Sequence, residues 1–211
     1  MKKAFLALLV LNLIFGCSSY TNPEPETNDA VTFRPNQGQG MGLIVVDFGN
    51  EEPKFERGGL FYKPSTSTER NLTGYKKSRL LEITYKTRAL TNSELGIENK
   101  DRYVYLITFK IPEGNYNFYD FLFGNNYVYY QEYVRSKKEF NLPFTITNNQ
   151  INYLGQLNIN QTKSGISFKI NDNFEDNLKM YKQKYKFLYL ENAENKTIDR
   201  DENNTGMFIF N

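Results

Sequence analysis

The chain has 211 residues, 26 of them basic, 24 acidic and none histidine, with a formal net charge of +2 and a single cysteine. Without histidine there is no Ser-His-Asp or Cys-His machinery and no imidazole metal ligand, and one thiol cannot close a disulfide within the chain. A near-neutral chain with no basic stripe long enough to track phosphates also argues against nucleic acid. With 17 Phe, 16 Tyr and no Trp, the composition favours pleated, half-buried surfaces.

The first element is an export signal. Met1-Lys2-Lys3 precedes an apolar run from Ala4 to Gly16 in which Asn12 is the one polar side chain. A basic start, a short apolar core and a small residue before the cut have that meaning. The run is too short to span a bilayer, which takes about 20 apolar residues. Ile14-Phe15-Gly16-Cys17 resembles the lipobox of bacterial lipoproteins, with Phe15 where Ala or Ser is commoner. The resemblance implies that Cys17 is acylated and becomes the first residue of the mature protein. Two or three acyl chains would make that anchor lasting. Of the 26 basic residues, Lys2 and Lys3 would leave with the signal, which balances the 24 acidic ones. Ser18 and Ser19 lack the Asp that retains some lipoproteins at the inner membrane, so the resemblance points to the outer membrane.

Residues 17–41 read as a flexible tether, rich in Pro, Gly, Asn and Glu. About 20 to 25 such residues hold a domain roughly 25 Å from the lipid. The domain is expected over 42–211.

In chain order, 42–50, 58–64 and 78–88 read as the first three strands. Tyr103, Tyr105, Ile107 and Phe109 alternate into a turn at Pro112-Glu113-Gly114, and Tyr116 and Phe118 alternate out, which is a hairpin signal. Residues 125–140 read as a further hairpin or excursion. Two strands flank Asn148-Asn149 within 142–159, and 164–170 follows. Phe174, Leu178, Tyr181 and Tyr185 then switch to the helical period, with Asp172 or Asn173 to cap and Lys182 and Lys184 near the end. One helix is expected there, over an edge or an open end of the fold. Residues 191–206 read as a loop, and 207–211 as a last strand. Turn signals every 8 to 12 residues predict an all-β fold, an antiparallel β-sandwich of transthyretin or immunoglobulin type with one short helix.

"IPEGNYNF" (111–118), "FTITNNQINYLGQLNI" (144–159) and the helix "FEDNLKMYKQKY" are similar to segments of bacterial envelope β-sandwich lipoproteins. That resemblance implies the same fold and an envelope address, and carries no catalytic residues.

Three sets of residues are candidates for function. Tyr127, Tyr129, Tyr130 and Tyr133, followed by Arg135, Lys137 and Lys138, form the densest aromatic and cationic cluster. Tyr and Arg dominate binding hot spots, so Tyr127, Tyr129, Tyr133 and Arg135 are a candidate binding surface, against a hairpin merely packed on the core. Asp199, Asp201 and Asn203 have calcium-loop spacing, but Gly206 comes late and Phe210 stands where the bidentate Glu belongs. A solvated turn explains them better, and no metal or cofactor is expected. Glu82 and Asp120 are the carboxylates placed among apolar residues, where burial could raise a pKa. Asn71, Asn160, Asn195 and Asn203 open N-x-T triplets, which carry little meaning in a bacterium.

The sequence therefore predicts a lipid-anchored, non-enzymatic envelope protein. It would bind a protein or glycan, of the envelope or of a host, or support an envelope assembly. The alternative is an envelope enzyme cleaving glycans with a carboxylate pair, which needs two acids about 5 to 10 Å apart.

Overall fold

The structure is a computed structural model that describes residues 38–66, 78–85, 102–126, 131–136, 140–162, 165–185, 188–199 and 207–209. Cys17, the signal and residues 17–37 of the expected tether lie outside the described residues, whereas residues 39–41, expected in the tether, form the start of the first strand. Eleven strands and one α-helix are present among them: β1 (Gln39–Asp47), β2 (Arg57–Pro64), β3 (Arg79–Thr84), β4 (Val104–Pro112), β5 (Gly114–Asn126), β6 (Gln131–Arg135), β7 (Leu142–Ile146), β8 (Ile151–Gln161), β9 (Gly165–Asn171), α1 (Phe174–Lys184), β10 (Ala193–Asn195) and β11 (Met207–Ile209). The strands form two sheets and no barrel. Sheet A runs β11-β9-β8-β1-β4, with β10 also on β8; sheet B runs β3-β2-β5-β6, with β7 also on β5. The protein is therefore predominantly β.

Sheet A is mixed, which corrects the expectation of a wholly antiparallel fold. Its central strands β1 and β8 pair in parallel, as do β10 and β8. Parallel neighbours need a long crossover, and here the chain builds all of sheet B between β1 and β8. The alternation of apolar and polar residues carries no sign of strand direction.

Two turns switch the chain between sheets, and at the first of them the expected hairpin is absent. Pro112-Glu113-Gly114 carries a hairpin signal and Asn148-Asn149 a turn between two strands, yet β4 pairs with β1 in sheet A and β5 with β2 in sheet B. Likewise β7 joins sheet B and β8 sheet A. Both turns carry the chain from one sheet to the other. Their local chemistry is as expected, with Asn149 at φ 59° in the left-handed region. Turn chemistry sets a reversal and does not choose the sheet that each strand joins.

One core is shared by the two sheets. It joins Ile44, Val46, Leu154 and Leu157 of sheet A to Leu60, Phe118, Phe121 and Phe123 of sheet B. Phe118 stacks on Phe144 and Phe121 on Phe123, each at 4.2 Å between centroids. Such pairs add about 0.5 to 1.5 kcal/mol beyond burial. At one end Tyr85 meets Phe48 and Tyr105 edge-on. Its hydroxyl fills the place where a side chain on Gly58 would begin, so only glycine fits there.

A second cluster lies on the opposite face of sheet A, where Met41, Leu43, Val45 and Tyr153 meet Tyr181 of α1 and Leu188 and Leu190 beyond it. β1 is thus buried on both sides, which explains its unbroken apolar run "LIVV". The helix covers the face of sheet A, and not an edge or open end as expected. The stripe Phe174-Leu178-Tyr181-Tyr185 faces this second cluster, as its period requires. The loop expected at 191–206 contains β10, whose three residues continue the pairing along β8.

Candidate functional site

Two β-bulges decide which side chains reach the outer faces. In β5, Phe61 opposes Asp120 while the next residue, Tyr62, opposes Phe118, which leaves Tyr119 extra. The phase of the strand therefore changes: Tyr116 and Phe118 point into the core on one side of the bulge, Phe121 and Phe123 on the other. Tyr119 and Asp120 are turned to the outer face of sheet B. In β8 the shift falls between Leu43 and Val45 of β1, opposite Tyr153 and Gln156. Gly155 there has φ 114°, a conformation glycine adopts without strain. Gln156 is thereby aimed at α1.

The outer face of sheet B carries a row of alternating cations and rings. The Arg135 guanidinium lies over the Phe61 ring at 4.7 Å. Phe61 meets Tyr119 at 6.1 Å, and the Lys63 ammonium lies over the Tyr119 ring at 4.2 Å. Cations over ring faces are held by the ring quadrupole at about 0.5 to 2 kcal/mol each. Tyr133, 45% exposed, and Leu80, 36% exposed, complete the face. Arg57 and Glu82 sit beside them as an ion pair at 3.4 Å.

Arg135 has a second task. Asp120 is 5% exposed, and its carboxylate accepts from Arg135 Nε at 2.7 Å, from Arg135 Nη2, from the Phe121 amide at 2.8 Å, and from both the amide and the hydroxyl of Ser136. That carboxylate is saturated. It pins the bulge to β6 and has no lone pair left for chemistry. Of the predicted surface, then, Tyr133 and Arg135 stand on one face, while Tyr127 and Tyr129 lie outside the described residues, as do Tyr130, Lys137 and Lys138. Phe61, Lys63 and Tyr119 are members the sequence reading missed. Their signal was alternation: Phe61 and Lys63 flank the core residue Tyr62.

The outer face of sheet A holds a different assembly. Asp47, 4% exposed, accepts from Arg102, from the Gly49 amide at 2.7 Å and from Gln156 Nε2 at 2.8 Å. Gln156 Oε1 accepts from Asn173 and Asn177, each at 3.0 Å. The Asn177 amide also donates to the Tyr153 hydroxyl. Burial pushes the Tyr153 pKa up to about 12, against the lowering effect of that hydrogen bond. Further along α1, the Tyr181 hydroxyl accepts from the Ile107 amide at 3.1 Å and donates toward the Ile44 and Ile107 carbonyls at 2.8 Å. Complete burial holds its pKa well above the usual tyrosine value. Gln156 Nε2 also donates to Asn158, whose buried amide nitrogen has no hydrogen-bond partner, and Arg102 stays 37% exposed, so the buried part of the network is Asp47, Gln156, Asn177 and Tyr153. It ties α1 to sheet A.

The remaining candidates separate. Asp199 is exposed, whereas Asp201 and Asn203 lie outside the described residues. Among the described residues no three acidic, histidine or cysteine side chains converge as a metal site. Glu82 faces outward in its pair with Arg57, and Asp120 belongs to the Arg135 clasp. Asp47, unremarked in the sequence, is the other buried carboxylate among the described residues, and it belongs to the other sheet.

No family model and no curated protein matches the chain. Among solved structures, it is similar to part of a leucine-rich repeat protein from Bacteroides thetaiotaomicron. The identity is 10% and the TM-score 0.34, over 58% of this chain and 14% of that one. A putative cell adhesion protein from Parabacteroides distasonis matches at 10% identity and TM-score 0.30, over 63% of this chain and 38% of that one.

Proposed function

We propose that the chain is a lipid-anchored envelope lipoprotein, attached through Cys17, whose domain is a β-sandwich of transthyretin or immunoglobulin type and acts by binding. The ligand-facing surface is the outer face of sheet B. The observation that carries this reading is the row Arg135–Phe61–Tyr119–Lys63, a band of cations and rings on a face where Tyr133 is 45% exposed. Half-exposed aromatics beside cations bury much area on contact and keep a polar tip, as binding surfaces do. The disposition of the carboxylates supports a non-enzymatic role. Asp47 and Asp120, the buried acids among the described residues, sit in different sheets, each clasped by an arginine. A glycan-cleaving pair would need two acids facing one substrate.

The test is a photoreactive residue placed at position 133 in the full chain on intact cells, with the same residue at Gln183 on α1 as control. Binding through sheet B gives an adduct from position 133 and none from 183. Equal labelling at both, or none at 133, overturns it. For the anchor, Cys17→Ser should move the protein from the membrane to the soluble fraction, and retention in the membrane would refute lipidation. Protease treatment of intact against permeabilised cells then decides whether the domain faces outward or into the periplasm.

A further inference from the structure

We infer that β1 is a mechanical clamp, the strand that bears tension drawn between the lipid anchor at Cys17 and a ligand held on sheet B. The inference rests on the anchor and the binding face proposed above, and it assigns the element that carries the load between them.

From Cys17 toward the C-terminus, β1 is the first strand among the described residues, so a pull on the anchor reaches the described fold through it. It is gripped on both sides. Every residue of β1 has a partner in β4, and all but Gln39, Gly40 and Ile44 have one in β8 as well. The Ile44 carbonyl accepts instead from the Tyr181 hydroxyl at 2.8 Å. At the entry, the Gly38 carbonyl accepts from the Glu113 amide at 2.9 Å and the Gln39 carbonyl from the Asn149 amide at 2.8 Å. The Met41 amide donates to the Gln150 carbonyl at 2.9 Å. Apolar side chains are buried against both faces of the strand.

The direction of the pull decides how these bonds are loaded. Pulled apart from one end, a ladder opens pair by pair, and each bond alone is weak. Pulled along the strand axis, its bonds must yield together. β1 and β5 run the same way. A side chain on Gly40 would meet Ile146, the partner of Gly114 at the start of β5. Phe48, just past the far end of β1, meets Tyr85 at 4.9 Å, and Tyr85 meets Phe123 of β5 at 6.5 Å. Leu122, turned outward beside Phe123, therefore stands about 25 Å from the entry, at about 3.3 Å per residue. Tension between Cys17 and that part of sheet B runs along β1 and loads both ladders in shear. The turns at 112–114 and 147–150 then pass the load on, because they join β4 to β5 and β8 to β7 through the covalent chain.

The test pulls the full, unacylated chain in optical tweezers by two thiols. Cys17, the single cysteine, is one handle. Leu122→Cys supplies the second for a pull along β1, and Glu113→Cys, beside the entry, supplies it for a pull that unzips the strand. Rupture through Leu122→Cys should need about twofold or more the force of rupture through Glu113→Cys at one pulling rate, since forced unfolding reads the barrier along the direction pulled. Both variants should keep the urea midpoint of the parent chain. If Leu122→Cys lowers it, Tyr119→Cys on the same strand and face takes its place. Equal forces, or a lower force along the strand, overturn the clamp. Equal forces with Cys17→Ser released to the soluble fraction would refute the clamp and keep the anchor. A force difference with Cys17→Ser still in the membrane would keep the clamp and refute the anchor.

Discussion

The two outer faces of this protein are built from the same residue types to opposite ends. On sheet A, an arginine, a carboxylate, amides and tyrosines close on one another beneath α1, and Asp47, Gln156, Asn177 and Tyr153 are all buried. On sheet B, an arginine, a carboxylate and aromatic rings line up with one edge still in water, and Arg135 remains 55% exposed. A buried polar network of this kind fixes the position of a helix, because misplacing Gln156 or Asn177 strands its partners in low dielectric. On sheet B, Arg135 pins the β5 bulge through Asp120 and still keeps much of its side chain in water. Location, and not composition, separates structural polar groups from groups that can meet a ligand.

The sharpest way to break this contrast is to cut α1 loose. Tyr181→Ala removes a completely buried ring and the hydroxyl that bridges β1 and β4, so it should cost about 3 to 5 kcal/mol in urea unfolding. A loss under about 1 kcal/mol would mean that α1 is not integral to sheet A.

Alkali should act on the same side. Burial raises the pKa values of Tyr85, Tyr153 and Tyr181 above the ordinary 10.0, Tyr153 to about 12. A raised folded pKa means that the folded chain holds its phenolic protons while the unfolded chain releases them. Their contribution is therefore full below pH 10 and is lost as pH rises through 10 toward the folded values. Each should cost about 1 kcal/mol by pH 11, so the urea midpoint falls between pH 9 and pH 11. Tyr153→Phe and Tyr181→Phe should flatten that fall, and an unchanged slope would show that other groups cause it.

Within the network, Gln156→Leu keeps the volume and removes both polar ends, leaving Asp47 and Asn177 each short of a partner. A loss of about 1 to 3 kcal/mol is expected, read from the urea midpoint. Gln156→Glu should not rescue it, because a second carboxylate would face Asp47 at the position that now donates at 2.8 Å.

How much of this was legible in the sequence depends on the range of the interaction. Alternation in β4 and β5 and the helical stripe from Phe174 to Tyr185 are local, and they located those elements within a few residues. The parallel pairing of β1 with β8 is set across more than 100 residues by burial on both faces, and no local pattern encodes it. The candidate surface was half legible. Tyr133 and Arg135 stood out by density, whereas Phe61, Lys63 and Tyr119 reach the same face only through sheet pairing and the β5 bulge. Asp120 was noticed as a carboxylate in an aromatic strand, but its fate depended on Arg135 and Ser136 across the strand pair. Asp47 and Asn177 gave no signal, because a polar residue bound for the interior looks like one bound for water.

The smallest expected effect is the most discriminating between the two faces. Arg57–Glu82 and Arg102–Asp47 are both arginine–carboxylate pairs, but Glu82 is 50% exposed and Asp47 is 4% exposed. Water already solvates the first pair, so Glu82→Gln should cost under about 0.5 kcal/mol at low salt and nothing measurable at 1 M. Asp47→Asn leaves Arg102 and Gln156 aimed at a group with a single acceptor, and salt reaches that site poorly. Its cost should exceed that of Glu82→Gln several-fold and hold at 1 M salt. The two unfolding curves at low and high salt are the measurement. If salt erases both losses alike, the sheet A network is wetter than its burial implies, and the contrast between a sealed face and an open one fails with it.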